Sequence, residues 1–541
     1  MKRPELTAQY LAKGQWANIT VAQALDRSVA AYPDNVAIRF GNERITYKEL
    51  HRRSDRLAGQ FLKRGLKKGD IVTVQMPNWP EYVCIHYALA RIGAVMLPTI
   101  PQYRRNEMSH ILSFSRSVAY ITSIGFGDFD YVGMVEEMRA DLPHLKDIFV
   151  VGEPAPAGAH SIREMLRKDV PAIPLPSLPV DPEDVACMVV TGGTTGKSKG
   201  VPRTHNELLA HALTWAKVMA TTSESIFLVP APATHVFGLV EGFYIPLTSG
   251  ATAVWMDRFD TTEALRLIER EQVTHALLVP ALVVSLIHSP EFSSFDTSSL
   301  KTIITGGGPC AEEVIVQAKA LLGCEVMSQY GMSEGPLLTT ALGDPPEVVA
   351  VTVGLPHCDG TEFKIVDADR RPVPAGQRGE IAFRGPSMFG GYFENPEETA
   401  AVTDDEGWFY SGELSFQDER GNIHIVGRIK DTIKRGGETV MPREFEELLY
   451  THPKVLNAAV IGMPDPRLSE RVCAYVVPKD NQTITLDEIV HFLNDKGLAK
   501  FKLPERLEVV DALPITPPSK VQKNVLREDI TRKLQAEGKV P

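Results

Sequence analysis

Cysteine is scarce, with six residues in a chain of 541: Cys84, Cys187, Cys310, Cys324, Cys358 and Cys473. No two form a C-x-x-C pair and no histidine cluster flanks them. A disulfide framework or structural zinc is therefore not expected; buried thiols in a reducing compartment are. An excess of positive charge is missing too. Lys+Arg number 57 against 68 Asp+Glu, a formal charge of -11, which lends no support to a nucleic-acid coat or a basic membrane anchor. Long apolar runs are lacking. The stretch 276–284 contains Pro280 and falls far short of the ~20 residues that span a bilayer. The opening MKRPELTAQYLAKGQW has basic residues but no apolar signal-peptide core. A cytoplasmic protein without a membrane span is the expectation.

What is present reads as globular. Hydrophobic residues make up 43% and charged residues 23%, near the averages of folded domains. A single core stops growing near ~250–300 residues, so several domains are expected. Thr46 and Glu49 predict a reciprocal capping box, followed by Leu50, Leu57, Ala58, Phe61 and Leu62 on one helical face and a stop at Gly65. Residues 71–76 predict a strand, and the alternation of helices with short apolar strands points to layered α/β architecture. Prolines at 171, 174, 176, 179 and 182 predict a loop. The last ~110 residues change texture, with strands over 455–463, 472–477 and 507–510 and a helix over 486–493, as a compact α+β unit would.

Glycine-rich turns recur at 191–200, 306–308, 376–385 and 390–391. Bare backbone permits close approach, and several such turns suggest loops gathered around one ligand. The strongest is Thr191-Gly192-Gly193-Thr194-Thr195-Gly196-Lys197-Ser198-Lys199-Gly200, after the apolar strand 186–190. Free N–H groups, hydroxyls and a lysine suit a nucleotide triphosphate. Gly196-Lys197-Ser198 imitates the end of a P-loop, but Thr191 occupies the position of its first glycine, and Gly200 and Pro202 interrupt the required helix.

This decapeptide resembles the phosphate loop of the adenylate-forming superfamily: acyl-CoA synthetases, peptide-synthetase adenylation domains and beetle luciferases. Further motifs follow in the same chain order over roughly residues 20–530. Ser328-Gln329-Tyr330-Gly331-Met332-Ser333-Glu334 resembles the family's Q-x-Y-G-x-T-E segment, Gly306-Gly307-Gly308-Pro309 its adenine-side turn, and Tyr410-Ser411-Gly412-Glu413-Leu414 its T-G-D segment with Glu for Asp. Gly427-Arg428-Ile429-Lys430-Asp431 resembles its hinge, Lys434-Arg435-Gly436-Gly437-Glu438 the loop that moves in after rotation, and residues 514–521 the segment with its mobile lysine, here Lys520 after Ser519 rather than Gly.

The resemblance implies a large, multi-subdomain N-terminal domain of layered sheets and helices, 1–429, and a small mobile α+β C-terminal domain, 430–541. It implies ATP, Mg²⁺ and CoA as cofactors and co-substrates. The nucleotide would meet Thr191, Gly192, Gly193, Thr194, Thr195, Gly196, Lys199, Gly307, Gly308, Tyr330 and Ser333, with Glu413 on the ribose and Arg428 also in reach. Glu334 would support Mg²⁺, Lys520 would serve adenylation, and Lys430 would be the pivot. Lys434, Gly436 and Gly437 would enter the site for the thiol step.

For the acid, Pro230-Ala231-Pro232-Ala233-Thr234-His235-Val236-Phe237-Gly238-Leu239 resembles the lining segment, with His235 guiding the carboxylate or gating the pocket. A site built from Val236, Phe237, Gly306, Gly307, Met332 and Leu337 suits an apolar ring or medium chain, and no buried charge is expected there to pair an α-ammonium. Siderophore-type aryl-acid adenylating enzymes carry Asn after the histidine, where this chain has Val236, yet Gly192-Gly193 and Pro202-Arg203-Thr204-His205 look like that subfamily. The implied activity is an AMP-forming carboxylic acid–CoA ligase. The alternative is a stand-alone enzyme loading a carrier-protein pantetheine; luciferase-like oxygenation and a non-catalytic scaffold are weaker readings. Acylation of the Lys520 amine would remove its charge, making a protein acetyltransferase a candidate partner.

Overall fold

The computed structural model describes residues 4–167, 173–176, 178–192, 198–435, 438–480, 482–516 and 520–539. By packing, the chain divides into two compact units, residues 1–363 with 383–409, and residues 364–382 with 410–541.

The first unit is layered α/β, as expected. A seven-stranded sheet runs in the order Ala159–Ser161, Asp147–Val151, Ala119–Ser123, Ile71–Gln75, Val95–Thr99, Val185–Gly192, Ser198–Thr204. A nine-stranded sheet places Thr302–Gly306 beside Glu325–Gly331 in parallel, with Leu337–Thr339 antiparallel next to it. Strand alternation sends successive side chains to opposite faces. Ile304 and Met327 join Val72, Val74 and helix residues such as Leu57, Ile85 and Leu208 in one core between the sheets. Ile303 and Val326 pack instead with helices on the outer face. Leu97, Tyr120 and Met188 form the outer core of the other sheet.

Thr46 caps the helix Tyr47–Lys63 as expected, accepting the Glu49 amide, an arrangement worth about 1 kcal/mol. The reciprocal half of the box is not formed. Glu49 turns outward to Arg52 and Arg53, whose guanidinium groups offer stronger, charge-assisted bonds than a backbone amide. The helix ends at Lys63 and Gly65 follows with φ 87°.

The second unit holds most of a strand path of Glu362–Val366, Gly379–Arg384, Phe409–Gln417 and Ile423–Arg428; residues 362–363, 383–384 and 409 belong to the first unit's segments. A five-stranded sheet is built around the antiparallel pair Val455–Asp465 and Ser469–Pro478, with Arg506–Val509 parallel to the latter. Helices Pro442–Tyr450 and Leu486–Asp495 cover one face, and Lys523–Ala536 the other. Among the described residues no helix is long and apolar enough to cross a membrane.

Candidate active site

The glycine-rich decapeptide closes an antiparallel hairpin. Thr191 pairs with Lys199, Val190 with Gly200 and Val189 with Val201. The chain returns as the strand Ser198–Thr204 rather than as a helix, which removes the P-loop reading: that motif needs a helix N-terminus behind its loop. Gly193, Thr194, Thr195 and Gly196 lie outside the described residues, and for Gly192 only the backbone is described.

Lys199, at the start of the return strand, forms an ion pair with Glu398 and holds its ammonium 5.0 Å from the centre of the Tyr392 ring. Tyr392 follows the Gly390-Gly391 turn and donates its hydroxyl hydrogen to Glu334 Oε1 at 2.9 Å. Burial, and then the charge of Glu334, raise the phenol's pKa, so it remains a donor. A continuous path thus runs from the hairpin to Glu334, which is 9% exposed.

The turn bearing Ser333 and Glu334 is clamped. Arg203 is wholly buried and donates to the Ser333 carbonyl at 2.7 Å and the Ser387 carbonyl at 2.7 Å. Glu207 lies 3.4 Å away; burial raises its carboxyl to about 7 against the lowering effect of the Arg203 charge. Glu207 also completes a reciprocal capping box with Thr204 at the start of the helix His205–Val218. Phe389 N–H donates to the Glu334 carbonyl at 2.8 Å, and Ser387 Oγ to the Gly335 carbonyl at 3.1 Å. Gly335 has φ 125°, and a Cβ there would sit 2.0 Å from the Ser387 carbonyl oxygen. Only glycine admits both that backbone and that approach. Sequence analysis assigns no role to Arg203 or Tyr392; the local signals are a lone arginine ahead of a capping Thr and a tyrosine directly after the Gly390-Gly391 turn.

Glu334 is one carboxylate, and among the described residues no group of three or more His, Cys, Asp and Glu is placed to hold a metal. That donor set fits a hard cation that draws most of its oxygens from phosphate and water, as Mg²⁺ does, and does not fit an all-protein cage.

The residues expected to line the acid come from three places in the first unit. His235, Val236 and Phe237 lead into a π-helix, Phe237–Tyr244, tied by the Leu239 amide to the His235 carbonyl at 2.7 Å. Such wide turns recur at functional sites. Gly306 ends its strand in register with Gln329, and Gly307 and Gly308 are exposed beyond it. Tyr330 pairs with Leu338 and Gly331 with Leu337; Met332 is half-buried and Leu337 buried. Ligands of α/β sheets gather at the carboxyl ends of parallel strands, where Gly306 and Gln329 stand. Glu241, in the same π-helix, is fully buried, and its Oε1 accepts from Gln329 Nε2 and, at 3.4 Å, from Trp215 Nε1. The signal was present as one acid inside Phe237-Gly238-Leu239-Val240-Glu241-Gly242-Phe243-Tyr244.

The remaining residues belong to the second unit. Glu413 and Arg428 are register partners on adjacent strands, 3.3 Å apart as an ion pair. Gly412 N–H donates to Glu380 at 2.7 Å, which fixes the turn before Glu413. Lys430 lies in the single 3₁₀ turn Ile429–Asp431; burial, then Arg428, lower its pKa. Arg527 bonds Asp431 at 3.2 Å and holds that turn to the C-terminal helix. Lys434 is exposed on the strand Ile433–Arg435; Gly436 and Gly437 lie outside the described residues. Lys520 begins a two-residue strand paired through Thr516, with only its backbone described; Ser519 lies outside the described residues.

The profile of the AMP-binding enzyme family matches residues 25–393, and that of the AMP-binding enzyme C-terminal domain matches 444–520. The chain is 35% identical to the 2,3-dihydroxybenzoate-AMP ligase of Bacillus subtilis (strain 168), covering 98% of this chain and 97% of the relative. It is 35% identical to the medium-chain fatty-acid–CoA ligase of Escherichia coli (strain K12), covering 97% and 93%. Among solved structures, ATP-bound MatB from Rhodopseudomonas palustris superposes with a TM-score of 0.83 at 28% identity, covering 94% of this chain and 99% of that one. With the hairpin, the clamped Glu334 turn and these matches in agreement, the chain belongs to the family of AMP-binding enzymes.

Proposed function

We propose that this protein is an AMP-forming carboxylic acid–CoA ligase. A carboxylate oxygen of the acid attacks the α-phosphorus of ATP, the bond to the β-phosphate breaks, and pyrophosphate leaves. The CoA thiol, losing its proton, then attacks the acyl carbon of the adenylate and AMP departs. The observation that carries the reading is the path Lys199–Tyr392–Glu334, which sets a cation, a phenol and a buried carboxylate behind a glycine-rich hairpin. Mg²⁺ beside Glu334 would offset the charge of the triphosphate. The protein's own part is to orient two anions and stabilise developing charge, with Lys520 delivered for the first step and no covalent protein nucleophile.

We assign Thr191–Gly196, Gly307, Gly308, Tyr330, Ser333, Glu413 and Arg428 to the nucleotide, and His235 with its neighbours to the acid. Residues 430–541 are assigned to a body that turns about Lys430, withdrawing Lys520 and bringing in Lys434, Gly436 and Gly437 for CoA. These roles follow the family resemblance. Six buried free thiols support a reducing, cytoplasmic setting. Acetylation of Lys520 by a protein acetyltransferase would halt the first step; unchanged adenylation after chemical acetylation there removes this control point.

AMP release is measured with benzoate, cyclohexanecarboxylate, cinnamate and C4–C10 fatty acids, with free CoA or a holo-carrier protein as acceptor. Acid- and CoA-dependent AMP release supports the ligase. Thioester formed on the carrier alone selects the carrier-loading alternative.

A further inference from the structure

The segment that leads to His235 is held from the other sheet. Strand Ile71–Gln75 of the seven-stranded sheet ends three residues before Asn78, and strand Ile226–Val229 of the nine-stranded sheet runs directly into Pro230-Ala231-Pro232-Ala233. Asn78 Nδ2 donates to the Ala231 carbonyl at 2.9 Å, and the Ala233 amide donates to Asn78 Oδ1 at 2.9 Å. Tyr82, in the first turn of the helix Pro80–Ile92, donates its hydroxyl hydrogen to the Ala233 carbonyl at 2.8 Å. Asn78 is 6% exposed and Tyr82 0%.

These bonds answer a need that the sequence creates. Pro230 and Pro232 have no N–H, so the segment cannot extend the ladder of the strand before it. Ala231 and Ala233 are buried, and their backbone groups must find partners elsewhere. A side-chain amide carries donor and acceptor together, and Asn78 thereby stands in for a neighbouring strand. The turn that follows has no slack. The His235 amide donates to the Pro232 carbonyl at 3.0 Å. A Cβ on Gly238 would stand 2.2 Å from that carbonyl oxygen and 2.7 Å from the Ala231 one. A shift at Ala231 and Ala233 is therefore passed on to residues 235–238, where His235, Val236 and Phe237 are half-buried.

We propose that Asn78, backed by Tyr82, is a positioning residue for the acid. It sets the backbone that aims His235, Val236 and Phe237, and so governs how well the acid binds. This rests on the assignment of those three residues to the acid. The bonds of Asn78 and Tyr82 go to Ala231 and Ala233 rather than to the hairpin or the Glu334 turn. The effect is then confined to the acid and spares the nucleotide.

The test is pyrophosphate exchange by the full chain with benzoate, cyclohexanecarboxylate, cinnamate and octanoate, for wild type, Asn78→Ala, Tyr82→Phe and the control Tyr47→Phe. Tyr47 is an equally buried phenol whose hydroxyl lies 3.0 Å from the Pro246 carbonyl and 2.7 Å from the Ala251 carbonyl, outside the acid-lining segment. On the acid with the highest kcat/KM, Asn78→Ala is expected to raise KM for the acid by about tenfold or more, and Tyr82→Phe by about three- to fivefold, the scale of the bonds removed. KM for ATP should stay within about twofold of wild type, as loss of binding confined to one substrate requires. Tyr47→Phe should lower the melting temperature and leave KM for the acid unchanged. If Asn78→Ala does not fold, Tyr82→Phe against Tyr47→Phe decides. KM values for acid and ATP that rise in step, or a rise in acid KM as large in Tyr47→Phe as in Tyr82→Phe, identify a packing role and overturn the proposal. Exchange with none of the acids in the wild type counts against the ligase reading itself; acid-dependent exchange with an unchanged acid KM in Asn78→Ala and Tyr82→Phe sinks only the present inference.

Discussion

Tyr392 donates its phenolic hydrogen to Glu334 while its ring lies under the ammonium of Lys199. The ring is thus a spacer between a cation on the hairpin and the carboxylate assigned to Mg²⁺. Tyr392→Phe keeps the spacer and deletes the bond. We expect adenylation to fall by on the order of tenfold, about the 1.4 kcal/mol of one charge-assisted hydrogen bond, with more Mg²⁺ needed for half-maximal rate. A Mg²⁺ titration of pyrophosphate exchange checks this; a curve identical to wild type would separate Tyr392 from Glu334's role.

Arg203 and Glu207 make a buried pair that also holds the Ser333 and Ser387 carbonyls. Arg203→Met strands the Glu207 carboxylate, and a broken buried pair costs on the order of 3–5 kcal/mol. The double variant Arg203→Met with Glu207→Gln should recover part of that loss. Urea unfolding of both variants measures it. Equal stability of the single and double variants means that the two side chains are not coupled.

The rotation reading separates two half-reactions. Lys520→Ala should reduce adenylation by at least about 10²-fold, as removal of one electrostatic donor does elsewhere, and spare thioester formation from supplied acyl-adenylate. Lys430→Pro should do the reverse, because proline freezes φ at the pivot. Single-turnover assays of each step decide it, and a parallel loss in both by either variant counts against the assignment.

Three buried histidines make stability depend on acid. Burial lowers His205 to about 4, His275 to about 4 and His86 to about 3. His205 Nδ1 accepts the Val21 amide at 3.1 Å, which requires the neutral ring. With the folded value below the ordinary 6.5, stability is complete above pH 6.5 and is lost as pH falls from there towards 4. His205 alone should account for about 2 kcal/mol between pH 7.5 and 5. His205→Asn retains an acceptor without the titration, so its unfolding midpoint should fall less over that interval; an unchanged difference would show that His205 is not held neutral.

Local patterns were legible because their cause is local. Thr46, Thr204 and Thr485 cap helices through side chains three residues from the amide they accept. The strands of the C-terminal unit announce themselves by period and β-branching. The glycine-rich decapeptide declared a ligand loop, and Thr191 at the wrong place for a P-loop already argued against the helix that the hairpin lacks. Partner choice was another matter. Glu49 preferred Arg52 and Arg53 to its own cap, and Glu241 went into the interior although its sequence neighbours gave it no counter-charge.

Chain order and residue type, acting over a few positions, determined the layered α/β class, the capped helices and the row of family motifs. Only the tertiary structure decided that Arg203 spans 130 residues to Ser333, that Tyr392 reaches Glu334, and that Glu241 meets Gln329. Those contacts depend on which sheet faces which helix, and on which buried polar atom finds a partner before water is excluded. Both are properties of the whole packed unit, so no short window of sequence contains them.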